Sequence, residues 1–235
     1  HVSSNSLARR GRQHRFYSLI EKDEGLPEVK RTAVKNMLEM QFRMNARVHE
    51  HWIDQDFAWY RAVWIECGEL MDHVGYKWWK KQEPDMDQVR LEVVDIWHFG
   101  MSALFTTQPN LETLADTISA DMLLESELIS DIHAATEALA QNALETHSFS
   151  VPHFAVLMSA CGLSPEELYR QYVGKNVLNF FRQDNGYKDG TYVKLWCGRE
   201  DNEHLVEILE TLDDAAPDYP EAVYEALSNR YQQAV

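Results

Sequence analysis

The chain has 235 residues, 45% hydrophobic content and a formal net charge of −16. That content is enough for a sizeable core, as one large domain or a domain with an insertion. The charge argues against non-specific binding to nucleic acid or an anionic membrane, and no apolar run of about eighteen residues marks a membrane span.

Residues 1–27 read as a solvated N-terminal tail bearing Arg9, Arg10, Arg12 and Arg15, without the apolar stretch of a signal peptide. After Pro27, Val34, Leu38 and Phe42 recur at helical spacing and predict a helix over 28–50. A second helix is expected over 55–74, ending near Gly75. Pro84 marks a turn, with Asp85 or Asp87 as the cap of a helix running to about residue 105. Residues 111–147 read as one or two helices without a chemical motif. Ser164-Pro165-Glu166-Glu167 is a helix start, with a Ser cap, Pro at the first position and acids in the first turn. That helix is expected to reach Phe181. Asn185-Gly186 and Asp189-Gly190 are turn signals, compatible with a short β-hairpin near 187–197. Two closing helices over 201–233 are split by Pro217 and Pro220. The expected fold class is all-α: a helical bundle in one domain over 28–235, with a less typical helical segment at 110–160. Cys67, Cys161 and Cys197 are odd in number and form no CxxC, which favours a reducing, cytoplasmic setting over a disulfide framework.

The chemistry starts with four acids in apolar company. Glu66 and Glu69 are three apart, as are Glu92 and Asp95, so each pair projects from one helix face. Ala62, Ile65 and Leu70 flank the first pair, and Val89, Val93 and Ile96 the second, which predicts that both faces point inward. A short linker makes the two helices antiparallel neighbours. Four converging carboxylates cannot all ionise unaided, and oxygen ligands without Cys point to Mg²⁺, two or more ions, with Mn²⁺ as a substitute. Two solvated helix faces are the plainer alternative.

A cationic stretch follows later in the chain. Lys175, Asn179 and Arg182 share a helix stripe, and Tyr187, Lys188, Lys194 and Arg199 come next. Such groups suit phosphate oxygens, or form an ordinary exposed face.

ECGEL (66–70), YKWWK (76–80), EVVDIWHF (92–99) and KNVLNFFRQDNGYKDGTYVKLWCGREDN (175–202) resemble the all-α, dimeric dUTP diphosphatase (dUTPase) family of the all-α nucleotide pyrophosphohydrolase superfamily. The resemblance implies hydrolysis of dUTP to dUMP and pyrophosphate on a Mg²⁺ cluster, in a homodimer. It implies Glu66, Glu69, Glu92 and Asp95 as metal ligands, with Glu66 also serving the attacking water. It assigns Lys175, Asn179, Arg182, Tyr187 and Lys194 to the phosphates. Gln41 and Asn45 match the family's QxxxN and would meet the uracil edge, with Trp52, or else Trp59, on the ring and His98 beside the base. Without the resemblance, Gln41 and Asn45 read as helix-surface residues, and His98 as a core histidine, a metal ligand or a partner of the metal ligands. Trp78 and Trp79 would shape the pocket and exclude a ribose 2′-OH, with Lys80 at the pocket and, like Lys77, in reach of the phosphates; the two tryptophans read equally well as core. His73 reads as structural. Other readings are a pyrophosphohydrolase of another nucleotide such as dCTP, a non-catalytic nucleotide-binding helical module, and a di-iron bundle, for which the ExxH pairs are missing.

Overall fold

The computed structural model describes residues 26–105, 109–123, 129 and 131–234. The expected tail over 1–27 lies almost wholly outside them. The fold is all-α, with nine helices and one two-stranded ribbon among the described residues. The helices are α1 (Leu26–Val48), α2 (Trp59–Val74), α3 (Met86–Leu104), α4 (Leu111–Met122), α5 (Ile132–Thr146), α6 (Val151–Ala160), α7 (Pro165–Asp184), α8 (Asp201–Thr211) and α9 (Tyr219–Ala234).

Capping chemistry sets many of the boundaries. Asp85 caps α3 by accepting from the Gln88 backbone N–H at 3.2 Å. Ser164 caps α7 by accepting from the Glu167 N–H at 3.1 Å. Asn110, Asp131 and Ser150 do the same for α4, α5 and α6. The 111–147 segment is therefore two helices.

Three boundaries differ from the sequence reading. α2 starts at Trp59, because residues 53–55 form a separate 3₁₀ turn. The hairpin sits later than expected: β1 (Leu195–Trp196) pairs antiparallel with β2 (Arg199–Glu200). Its turn is Cys197-Gly198, both at positive φ, and Gly186 and Gly190, also at positive φ, lie in the turns that follow α7. Pro220 does not separate the last two helices; it lies in the first turn of α9.

α2 and α3 pack as the expected hairpin and carry the four acids. Behind them lies an apolar cluster in which Trp97 stacks on Phe154 at 4.9 Å. Gly100 makes room for it: a Cβ there would come within 2.4 Å of the Phe149 ring. The 110–160 segment thus supplies the wall behind the acid-bearing hairpin. A second cluster joins α7, α8 and α9 around Phe181, Trp196, Leu205 and Leu227. There Gly174 lets α8 approach, since a Cβ would meet the Leu209 side chain at 2.6 Å. This approach brings the start of α8 to the cationic stripe of α7.

Candidate active site

Glu66, Glu69 and Glu92 each offer a carboxylate oxygen within 4.8 Å of the others. Glu92 is buried, Glu66 half-buried and Glu69 exposed. The inward-facing expectation holds for Val89, Val93 and Ile96, which are fully buried, but not for Ile65, which is 46% exposed. The α2 side of the cluster therefore opens to solvent. Asp95 lies close by but is engaged elsewhere: its Oδ2 is 2.8 Å from the Lys175 ammonium. Glu92 Oε2 is buried without a partner, and its Oε1 is 3.4 Å from His73 Nε2. His73 falls on the same face as Glu66 and Glu69, at i+7 and i+4, a periodicity that was available in the sequence.

Burial, followed by the charge of Asp95, pushes the carboxyl pKa values of Glu66 and Glu92 up. An unpartnered buried oxygen, converging carboxylates and a disfavoured negative charge together fit a hard divalent cation held by these side chains. A carboxyl whose pKa is higher in the folded chain keeps its proton longer there, so the native state loses stability as pH rises. His98 works in the opposite direction, but only below its ordinary value, and thiol ionisation enters only above it. We therefore expect the melting temperature in chelator to fall between about pH 7 and pH 8, the window free of both effects. Saturating Mg²⁺ should flatten that slope. Scanning calorimetry checks this, and equal slopes with and without metal would refute it.

The cationic stripe is paired within the fold rather than free. Lys175 is 2% exposed and donates to Asn202 Oδ1 at 2.8 Å as well as pairing with Asp95. Arg182 makes a two-pronged contact with Asp201, Nε to Oδ2 and Nη2 to Oδ1, each at 2.8 Å. Asn179 Oδ1 accepts from Arg182 Nη1 at 3.2 Å. Asp201 is fully buried and also accepts from the Tyr192 hydroxyl at 2.7 Å. Burial works against its charge, but these donors prevail and hold its pKa below the usual carboxylate range. Lys194 is exposed and pairs with Glu200 at 3.2 Å, and Tyr187 is 52% exposed. Asp201, Asn202 and Tyr192 received no role from the sequence, because nothing in their spacing announces partners on α7.

Gln41 and Asn45 are buried in a hydrogen-bond network beside the acids. Gln41 Nε2 donates to Asn45 Oδ1 at 2.9 Å, and Asn45 Nδ2 donates to Ser102 at 2.8 Å. Gln41 Oε1 accepts from the Tyr172 hydroxyl at 2.9 Å and lies 2.7 Å from His98 Nδ1. That amide orientation puts the His98 proton on Nδ1 and leaves Nε2 as a bare, buried acceptor without a partner. Burial lowers the His98 pKa to about 4, so the ring is neutral.

The two aromatic expectations come out differently. Trp52 is 2% exposed, enclosed by Phe42, Trp59 and Phe105, so as folded it offers no open face to a base. Trp78 and Trp79 are not core: they are 91% and 60% exposed on the α2–α3 linker, edge to face with each other. Lys80 is exposed beside them, and Lys77 faces Asp72 at 3.8 Å. The linker is braced at its base by the Asp85 N–H on the His73 carbonyl at 2.9 Å, and by His133 Nε2 at 3.0 Å from the Gly75 carbonyl.

No helix among the described residues is long and apolar enough to cross a membrane. No curated protein matches the chain. A family model described as dUTPase matches residues 33–187, well over half of the 235 residues.

Proposed function

The chain belongs to the dUTPase family, and from that premise we infer that the acidic hairpin and the α7–α8 network are the two sides of its active site. The activity is dUTP diphosphatase: a water adds to a phosphorus of dUTP, and dUMP and pyrophosphate part. The observation that carries the assignment of the site is the convergence of Glu66, Glu69 and Glu92 within 4.8 Å, with Asp95 adjacent.

Those four acids would hold Mg²⁺, with Mn²⁺ as a substitute. The metal would supply charge neutralisation on the phosphates and a lowered pKa for water. Glu66 is our candidate to take the proton from the attacking water. With a cation bound beside it, the raised pKa of Glu66 would come back down and leave it ionised near neutrality. Lys175 and Asn179 meet the phosphates from α7, with Tyr187 and Lys194 reaching in from the following turns. Arg182, pinned by Asp201, keeps that cluster rigid and presents its remaining N–H.

On the nucleoside side, the Gln41–Asn45–Ser102 network forms the wall. His98 Nε2, locked as an acceptor, suits the uracil N3–H; cytosine offers an acceptor at that position and would be rejected. Trp78 and Lys80, exposed on the linker, would cover a bound nucleotide. Trp52 holds the wall from behind.

We further read 28–235 as one catalytic domain, active as a homodimer in the cytoplasm. The exposed Trp64 and Ile65 on α2 support a protein–protein face, and the three free cysteines suit a reducing compartment. Sedimentation would check the dimer.

The test is pyrophosphate release from dUTP, dTTP, dCTP and UTP, with Mg²⁺ and with chelator. We expect Mg²⁺-dependent release from dUTP, with dCTP at least about 100-fold slower, as for a site whose buried polar group is left unpaired. Equal rates on dUTP and dCTP would refute the His98 assignment. Full activity in chelator would refute the metal site.

A further inference from the structure

Lys175 has two neighbours with competing interests. Its ammonium lies deep in the protein, 2.8 Å from Asp95 Oδ2 on α3 and 2.8 Å from Asn202 Oδ1 on α8. A buried ammonium is costly unless paired, and these contacts pair it. Yet the carboxylate oxygens that converge belong to Glu66, Glu69 and Glu92. Asp95, the fourth acid, spends its charge on the lysine. A divalent cation entering among the acids meets Lys175 as a resident rival for Asp95, and the two positive charges repel.

We propose that Lys175 is an internal counter-cation of the acidic site: it holds Asp95 until a divalent cation enters, is then displaced, and so becomes free to pair with a phosphate oxygen of the nucleotide. The proposal rests on the metal reading above. The backbone need not move for this exchange. Gly174 packs directly on Leu209, which fixes α7 at this point, while the lysine stem has four rotatable carbons. Asn202 Oδ1, a neutral acceptor, stays as the pivot when Asp95 lets go. Binding of metal and capture of phosphate are then coupled through one side chain, and each strengthens the other.

Calorimetric titration of Mn²⁺ tests the rivalry. Lys175→Gln should bind Mn²⁺ about tenfold more tightly than the parent, and Lys175→Arg, which keeps the charge, should not. Equal affinity in Lys175→Gln and parent overturns the counter-cation role and leaves the metal reading standing. Absence of binding in both overturns the metal reading, and this proposal with it. A measurement on the parent protein does not depend on how the variants fold. In ¹⁵N-lysine NMR, the ammonium of Lys175, the buried lysine among the described residues, should be recognised by its protection from exchange and should shift on saturation with Mg²⁺. A Lys175 signal that stays in place under saturating Mg²⁺ overturns the displacement.

Discussion

Glu69→Gln should lower kcat/KM for dUTP by about 10³-fold, close to 4 kcal/mol of transition-state stabilisation, while the far-UV circular dichroism of the parent is retained. The substitution keeps the shape of the side chain and removes only its charge and one anionic oxygen. Glu69 is the exposed member of the converging three, so nothing in the packing depends on it. Its charge contributes to the raised pKa of Glu66, so its loss relieves repulsion in the metal-free protein. The melting temperature in chelator should therefore stay level or rise while turnover collapses. Asp95→Asn should also abolish turnover, but it strips Lys175 of its ion pair and so confounds chemistry with stability. Parent-like turnover by Glu69→Gln would remove that residue from the site, and an unfolded variant would make its role structural.

Asp201→Ala should be the most destabilising single change at the site, costing about 3–5 kcal/mol. Asp201 is fully buried and is gripped by both prongs of Arg182 and by the Tyr192 hydroxyl. Deleting it strands a guanidinium that is itself largely buried. The melting temperature should drop by on the order of 10 °C for a chain of this size. Activity at permissive temperature should fall too, because Asn202, its neighbour, steadies Lys175. A shift of only a degree or two in thermal denaturation would mean that Arg182 finds another partner or water, and that the pair does not anchor α8 on α7.

The helices could be read from the sequence wherever a cap and a periodic apolar face coincide, as at Asp85 and Ser164. The pairing of Glu66/Glu69 with Glu92/Asp95 was equally legible, because a short linker leaves two neighbouring helices little choice but to pack together. What escaped was everything decided by distant partners. Lys175, Asn179 and Arg182 share a stripe, but spacing cannot say that Asp95 and Asn202 already occupy Lys175 and that Asp201 occupies Arg182. Gln41 and Asn45 look like surface polar residues until Tyr172 and His98, far away in sequence, close around them. The exposure of Trp78 and the enclosure of Trp52 were similarly open, since both sit in irregular segments where periodicity says nothing.

The hairpin of α2 and α3 also bears on the order in which the molecule assembles. Its contacts join residues close in sequence, so its loop closure costs little entropy and it is suited to form early. The acids then crowd together before Lys175, which arrives from a helix some eighty residues later, can offset them. The electrostatic burden of the acidic hairpin thus falls on the ascent to the folding barrier as well as on the finished, metal-free structure. On the proposed metal reading, divalent cations present during refolding would speed a step that the polypeptide must otherwise take against its own charge.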